Sequence, residues 1–414
     1  LQKKILFISD HGDLLAPLGS EQAGGQNNYV KQLAEALCEH GNQVDIITHW
    51  ANPDDPQIEY FGGNCRVIRI AAGNRNYVSK NKMFGMLPQF YNEMKRLVPV
   101  ESYDLIHTHY WLSGVIGLYM KKEFNLPWIH TNHSLGKAKE LATGVAENTR
   151  LSAEKLILGS VDRIVATTES EKELIHSFVP EPAPTDIISI GVDPVFYPDE
   201  TAALESAPYF AFAGRLEKTK GIYVLVDAFR KLVASHGVPS STKLIIAGGD
   251  STNVEASAKL PKKKTLRKAI AGLEHRIDFI GSQTQRQLSN LFNGAISTIV
   301  PSYYESFGMV AAESQACGCP VIASKVGGLQ DVVKDRVTGI HVKKKDVVQL
   351  AESMESLLVN REYAEELGEK AFLHANQAFR WSTLSEKMDN LYEVILHEKQ
   401  NAYAGDRSRW YVSG

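Results

Sequence analysis

The sequence predicts an α/β protein of two doubly wound domains, each a largely parallel sheet covered by helices on both faces. Three observations lead there. Short Val- and Ile-rich runs recur between helical patterns, as expected of parallel strands buried on both faces. The runs fall into two series separated by a turn-rich segment without periodicity. The length of 414 residues has room for two or three domains at roughly 100–200 residues each.

In chain order, the first series of expected strands covers 5–9, 44–48, 67–70, 105–109, 128–133, 164–168 and 187–190. The second covers 209–214, 244–249, 277–281, 296–301, 321–323 and 340–342. Between them lies Gly191-Val192-Asp193-Pro194-Val195-Phe196-Tyr197-Pro198-Asp199-Glu200, read as the start of a linker. From about 352 to 400 the pattern is helical, charged and free of strands. The expected division is an N-terminal domain at 1–191, a linker at 192–208, a C-terminal domain at 209–372 and a helical segment at 373–414.

Composition narrows the function. Lys+Arg of 45 against Asp+Glu of 48 leaves a net charge of −3, without the basic excess of a nucleic-acid binder. An apolar content of 43% excludes a disordered chain. No apolar run approaches the roughly 18–20 residues of a membrane span, and the first apolar run reads as a strand rather than a leader. A cytoplasmic protein is therefore expected. Cys38 and Cys65 stand alone in sequence, and Cys317 and Cys319 form a C-x-C without a second pair of ligands. All four are expected to be free thiols, with no metal site. The Lys-rich stretch 259–268 reads as a solvated surface.

Four motifs carry chemistry. Ala23-Gly24-Gly25-Gln26-Asn27-Asn28-Tyr29 precedes apolar residues at Val30, Leu33, Ala34 and Leu37, so the glycine pair opens a helix. Glycines there admit a ligand to backbone amides that favour anions. Gly214-Arg215-Leu216-Glu217-Lys218-Thr219-Lys220-Gly221 follows a strand end, where doubly wound sheets bind ligands, and offers a forked and a point cation for a diphosphate. Glu305-Ser306-Phe307-Gly308-Met309-Val310-Ala311-Ala312-Glu313 places one carboxylate in a strand-end loop and a second within the following helix. Both suit sugar hydroxyls, and the amides of Met309 and Val310 suit phosphate oxygens. His107-Thr108-His109-Tyr110-Trp111 and His130-Thr131-Asn132-His133-Ser134 end two strands of the first series; no carboxylate completes a metal-ligand spacing.

Together these motifs resemble the retaining glycosyltransferases of family four. The resemblance rests on Gly-Arg-x4-Lys-Gly, then Glu-x7-Glu, with Asp-Leu-Ile-His-Thr-His-Tyr-Trp-Leu-Ser-Gly at 104–114, and it covers nearly the whole chain. It implies the GT-B fold: two Rossmann-like domains facing across a cleft, with C-terminal helices crossing back. Gly-Gly-Gln at 24–26 and His-Ser-Leu-Gly at 133–136 resemble the sucrose-phosphate synthase branch. That branch implies transfer of glucose from a nucleotide sugar, with UDP-glucose as the expected cosubstrate, to fructose 6-phosphate, the anomeric configuration being retained. Sibling acceptors are free fructose, as in sucrose synthase, and inositol phosphate.

The resemblance assigns roles residue by residue. Arg215 and Lys220 meet the donor diphosphate, Glu305 the donor sugar and Glu313 the ribose. Gly25, Phe307, Gly308, Met309 and Val310 line the donor, and Gly281 lies where the base is read through backbone. His133 stands beside the reacting centre, so His133, Arg215, Lys220 and Glu305 form the expected catalytic set. Gly24, Gly25, Gln26, Lys80, Tyr110, Ser134, Lys139 and Arg150 are expected to hold the acceptor. Lys80, Lys139 and Arg150 would face its phosphate, since a dianion needs charge-assisted hydrogen bonds. Ala138 stands where that branch usually has Asn. No metal, resident cofactor, nucleic acid or membrane partner is expected. Two other readings compete: a nucleotide-sugar sensor without activity, and a nicotinamide oxidoreductase, which lacks its G-x-G-x-x-G after the first strand.

Overall fold

The structure, a computed structural model, describes residues 2–15, 25–199, 201, 207–255 and 257–410, with side chains up to 401. The chain separates into two compact units, 1–191 with 381–414 and 192–380.

The first unit runs β1 (Lys4–Ile8), α1 (Gly25–Glu39), β2 (Gln43–His49), β3 (Ile58–Phe61), β4 (Cys65–Ile70), α2 (Lys80–Leu97), β5 (Leu105–His109), α3 (Tyr110–Phe124), β6 (Trp128–Thr131), α4 (Gly136–Thr143), α5 (Asn148–Ser160), β7 (Arg163–Ala166), α6 (Glu169–Phe178) and β8 (Thr185–Ile187). Its sheet has the order β3-β4-β2-β1-β5-β6-β7-β8, and every pair is parallel except β3 with β4. β1, β2 and β5 are buried almost throughout, the polar His107, Thr108 and His109 of β5 included, so both faces must be covered. α1 presents Val30, Leu33, Ala34 and Leu37 to that sheet.

The second unit runs β9 (Tyr209–Ala213), α7 (Ile222–Val233), β10 (Lys243–Ala247), a small hairpin of β11 (Val254–Glu255) and β12 (Leu260–Pro261), α8 (Lys264–Ala269), β13 (Ile277–Gly281), α9 (Gln285–Gly294), β14 (Ser297–Val300), α10 (Met309–Ala316), β15 (Val321–Ser324), α11 (Leu329–Val332), β16 (Gly339–Val342), α12 (Val347–Val359) and α13 (Arg361–Ala378). Its parallel sheet has the order β13-β10-β9-β14-β15-β16. α7 buries Ile222, Leu225, Val226, Phe229 and Leu232 at helical spacing against it. In both units the order reverses beside the first strand, between β1 and β5 and between β9 and β14. Ligands of open α/β sheets bind outside the strand ends at such a reversal.

α14 (Trp381–Trp410) returns to the first unit. Lys3 Nζ pairs with Asp389 at 3.0 Å and Glu393 at 3.1 Å, and Tyr392 meets His107 at 2.7 Å.

Three expectations are corrected. The helical tail does not begin at 373, because α13 crosses that position unbroken and the chain changes unit at 380/381. The residues given to a linker at 192–208 are partly anchored: Val192 bridges to Arg380, and the buried Phe196 stacks on Phe292 with centroids 6.1 Å apart. Cys38 and Cys65 are not free thiols. They form a disulfide with Cα atoms 6.5 Å apart, because the C-terminal turn of α1 packs beside the start of β4. Cys317 and Cys319 are free and buried, as read from the sequence.

Candidate functional site

In the first unit the site forms at the ends of β1, β5 and β6. Gln26, in the first turn of α1, donates from Nε2 to Ser9 Oγ at 3.1 Å and to the His109 carbonyl at 3.4 Å. It therefore ties the helix N-terminus to both strands flanking the reversal. No described atom lies within 4 Å of where a side chain at Gly25 would start, so its backbone is open to a ligand. Gly24 lies outside the described residues.

Tyr110 begins α3 with φ +76°, a left-handed conformation rare for a bulky residue. This turn places its ring under two cations: Lys80 Nζ is 4.6 Å and the Arg150 guanidinium 5.0 Å from the centroid. Arg150 is buried and pairs with Glu154 at 2.7 Å, and it also donates to the Ser134 carbonyl. Glu154 in turn accepts from the Gly136 amide at 2.9 Å, which fixes the start of α4. Lys139 pairs with Glu147 at 2.6 Å. Burial lowers the Lys80 pKa; the Asp10 carboxylate opposes this, while Arg150 and Lys139 add to it. The structure thus brings Lys80 and Arg150 together over Tyr110, with Ser134 bonded to Arg150 and Lys139 near enough to act on Lys80; Arg150 and Lys139 are each paired with a carboxylate.

His133, also left-handed at φ +58°, meets His109 with 3.0 Å between its Nε2 and His109 Nδ1. Its ring lies against Tyr29, with centroids 4.8 Å apart. Burial, then repulsion from His130, His11 and Lys80, lowers its pKa to about 3, so the imidazole is neutral near pH 7. His107 stacks on His109 at 4.3 Å and bonds Tyr392 and Thr131 through its two nitrogens, at 2.7 and 2.8 Å.

In the second unit the loops after β9 and β14 meet. Tyr303 N donates to Thr219 O at 2.8 Å, and Lys220 Nζ pairs with Glu305 Oε1 at 2.5 Å. Ser302 Oγ holds the same carboxylate oxygen at 2.8 Å. Arg215 is three-quarters exposed and pairs with Glu217 at 3.0 Å, free to swing onto a ligand. Phe307 is buried edge-on to Phe379 with centroids 5.6 Å apart, and Gly308, at φ +105°, turns the chain into α10 so that Met309 and Val310 supply helix-terminal amides. Glu313 lies on α10; burial, then the Asp193 carboxylate, lifts its pKa to about 8. Gly281 ends β13 at φ +71°, and its carbonyl accepts from Gly248 N at 2.7 Å. Gly248 crosses Gly214 so closely that a Cβ would lie 1.9 Å from the Gly214 carbonyl oxygen. The ends of β9, β10 and β13 therefore form a flat backbone shelf.

Sequence reasoning missed Tyr29, His109 as the partner of His133, Asp10 and Gly248. Asp10 had a signal, since it lies two residues past the end of the first strand, beside the reversal. Among the described residues no group of three or more His, Cys, Asp or Glu could hold a metal. No described helix is long and apolar enough to cross a membrane. A separate cavity of about 520 Å³, lined in part by Lys325, Asp335, His341 and Lys343, holds none of the predicted site residues.

Comparison with known proteins places this geometry. Residues 23–196 match the model "Glycosyltransferase Family 4", and residues 196–374 match "Glycosyl transferases group 1". A D-inositol 3-phosphate glycosyltransferase of Corynebacterium diphtheriae is 31% identical over 94% of each chain. The structure of sucrose-phosphate synthase from Thermosynechococcus elongatus is 34% identical, covers 96% of this chain and 100% of its own, and superposes with a TM-score of 0.84. Anabaena HepE in complex with UDP-glucose shares the fold at 18% identity, with a TM-score of 0.72 over 95% of this chain and 100% of its own.

Proposed function

The chain belongs to the family 4, group 1 glycosyltransferases of GT-B fold, and from that premise we propose that it moves glucose from UDP-glucose to fructose 6-phosphate with retention, forming sucrose 6-phosphate. One observation carries the acceptor class. Lys80 and Arg150 meet over the Tyr110 ring, Lys139 acts on Lys80 from nearby, and Lys80 has its charged form disfavoured by burial and by both neighbours, a state that a phosphomonoester dianion would relieve. Fructose 6-phosphate is favoured over other phosphates by the 34% identity with sucrose-phosphate synthase and by Gln26 and Ser134.

The donor falls to the second unit. Arg215, Lys220 and the amides of Met309 and Val310 would bear the diphosphate, where negative charge grows as the glycosidic bond breaks. Glu305, held by Lys220 and Ser302, would orient the sugar, and Glu313 the ribose. The acceptor hydroxyl attacks from the face the diphosphate leaves, and a diphosphate oxygen takes its proton. No side-chain base is required, which suits the neutral, weakly basic His133.

D-inositol 3-phosphate is the second reading, favoured by the curated relatives at 30–32% identity. A matrix of UDP-, ADP- and GDP-glucose against fructose, fructose 6-phosphate, inositol and inositol 3-phosphate, read as released nucleotide, decides. The expected outcome is UDP release with fructose 6-phosphate at a kcat/KM at least about tenfold above fructose. A higher kcat/KM with inositol 3-phosphate replaces the first reading by the second. Equal rates with phosphorylated and free acceptors remove the phosphate assignment.

A further inference from the structure

We infer that His109 is a positioning residue that fixes the tautomer of His133, so that His133 meets the reactants as a hydrogen-bond donor through Nδ1 and not as a base. The inference rests on the placement of His133 beside the reacting centre. Its structural part stands on one contact and one orphaned atom. His109 Nδ1 and His133 Nε2 lie 3.0 Å apart, and neutral imidazoles can share that contact in two ways. Either His109 donates from Nδ1, or His133 donates from Nε2.

The far nitrogen of His109 distinguishes them. Nε2 of His109 is fully buried and finds no hydrogen-bond partner among the described residues. If His133 donated, His109 would carry its proton on that nitrogen, and an N–H would be buried without an acceptor. A buried N–H left without an acceptor costs its full desolvation, and such donors are rarer than under-used acceptors. If His109 donates, its Nε2 is a bare lone pair, the milder defect. The proton of His133 is then on Nδ1. The His133 side chain is only half-buried, and its Nδ1 is not a buried atom left without a partner.

The surroundings keep both rings neutral. Phe7 and Tyr29 present edges to His109, with centroids at 4.8 and 6.0 Å, and His107 stacks on it. His107 is itself fixed at both nitrogens by Tyr392 and Thr131. The groups acting on His133 from neighbouring elements are His130, His11 and Lys80, none of which stabilises an imidazolium. A chain of locked aromatic rings thus runs from α14 through His107 and His109 to His133. A donor there matches the oxygen-rich, anionic reactants of glycosyl transfer.

The test uses the full chain labelled with 15N-histidine, without substrate. Nδ1 and Nε2 shifts of the His133 ring, assigned by their loss in His133→Gln, are expected to show Nδ1 protonated and Nε2 bare. Protonation on Nε2 overturns the inference. Kinetics provide a second arm. His109→Asn keeps a donor near the Nδ1 position and is expected to stay within a few-fold of the wild-type kcat. His109→Phe keeps the ring but loses the donor and should lower kcat about tenfold with little change in the KM for nucleotide sugar. Equal losses in the two variants overturn the inference, as does a loss confined to KM. The spectrum is read without turnover, so its result is separate from failure of every donor and acceptor pair, which would instead sink the proposed reaction.

Discussion

Burial lifts the Glu313 carboxyl from 4.5 to about 8, with Asp193 adding to it, and this makes the folded chain sensitive to pH. Between those values the folded chain holds a proton that the unfolded chain has released, so stability from this group is present in acid and lost as pH rises. The Tm of the ligand-free protein should fall from pH 5 to 8.5 more steeply than that of Glu313→Gln; parallel profiles would refute the shift. Ribose hydroxyls favour the carboxylate, so nucleotide binding should release a proton below pH 8. Calorimetry in buffers of different ionisation enthalpy reads this release, which Glu313→Gln should lose. Lys80 gives the complementary case. Lys80→Ala should raise the KM for the phosphorylated acceptor about 10–100-fold, a charge-assisted bond being worth roughly 1.5–3 kcal/mol. The KM for the donor should be unchanged, and an equal rise in both would remove Lys80 from the acceptor site. Glu313 was legible because its spacing from Glu305 puts one carboxylate in a loop and the other on a helix. The grouping of Lys80 with Arg150 was legible only through family resemblance, since nothing local links a residue opening α2 to one in α5.

At the scale of elements, the reversal point of the second unit depends on two loops that touch backbone to backbone. Gly221 adopts φ +77°, and a Cβ there would lie 2.0 Å from the Pro301 carbonyl oxygen. Gly221→Ala must separate the β9 loop from the β14 loop. It should cost about 2–4 kcal/mol in urea unfolding and weaken donor binding with it. Unchanged nucleotide affinity would show that the two loops do not act together. A second element-scale link joins the C-terminal turn of α1 to the start of β4 through Cys38 and Cys65. Alkylation in denaturant without reductant should therefore label two of the four cysteines, and Cys38→Ser should lower stability by about 3 kcal/mol. Labelling of all four disproves the bond. Strands buried on both faces were legible because their apolar runs are continuous. β3 was not: it is a short antiparallel edge with alternating exposure, and only β4 pairs with it. The disulfide was equally hidden, because the packing that brings the sulfurs together involves a helix end and a strand start with no shared sequence signal. The start of the helical tail is not legible because α13 and α14 are both helical by pattern and only a short break at 379–380 separates them.

For the whole molecule, the buried titratable groups divide unevenly between the two units, and the division predicts the order in which acid disrupts them. The first unit holds His49, His107, His109, His130 and His133, all with pKa values depressed chiefly by burial. A depressed folded-state value means that the unfolded chain binds protons first, so this stability is present above about pH 6.5 and lost as pH falls below it. Glu154 and Glu171 in the same unit are raised by burial and work in the opposite sense, over the lower range where carboxylates titrate rather than near the imidazole range. In the second unit His374 is depressed but Glu313 is raised, so acidification from pH 8 first strengthens that unit. The first unit should therefore open first as pH falls from 6.5 toward 4. An optical readout separates the two, because all five tryptophans belong to the first unit. Tryptophan emission should shift at higher pH than the far-ultraviolet signal of the remaining helices, and excess nucleotide, if the proposed donor site in the second unit holds it, should move the later step more than the earlier one. A single coincident transition in both signals would mean that the two units unfold as one, and that the histidine cluster sets the acid limit of the entire chain.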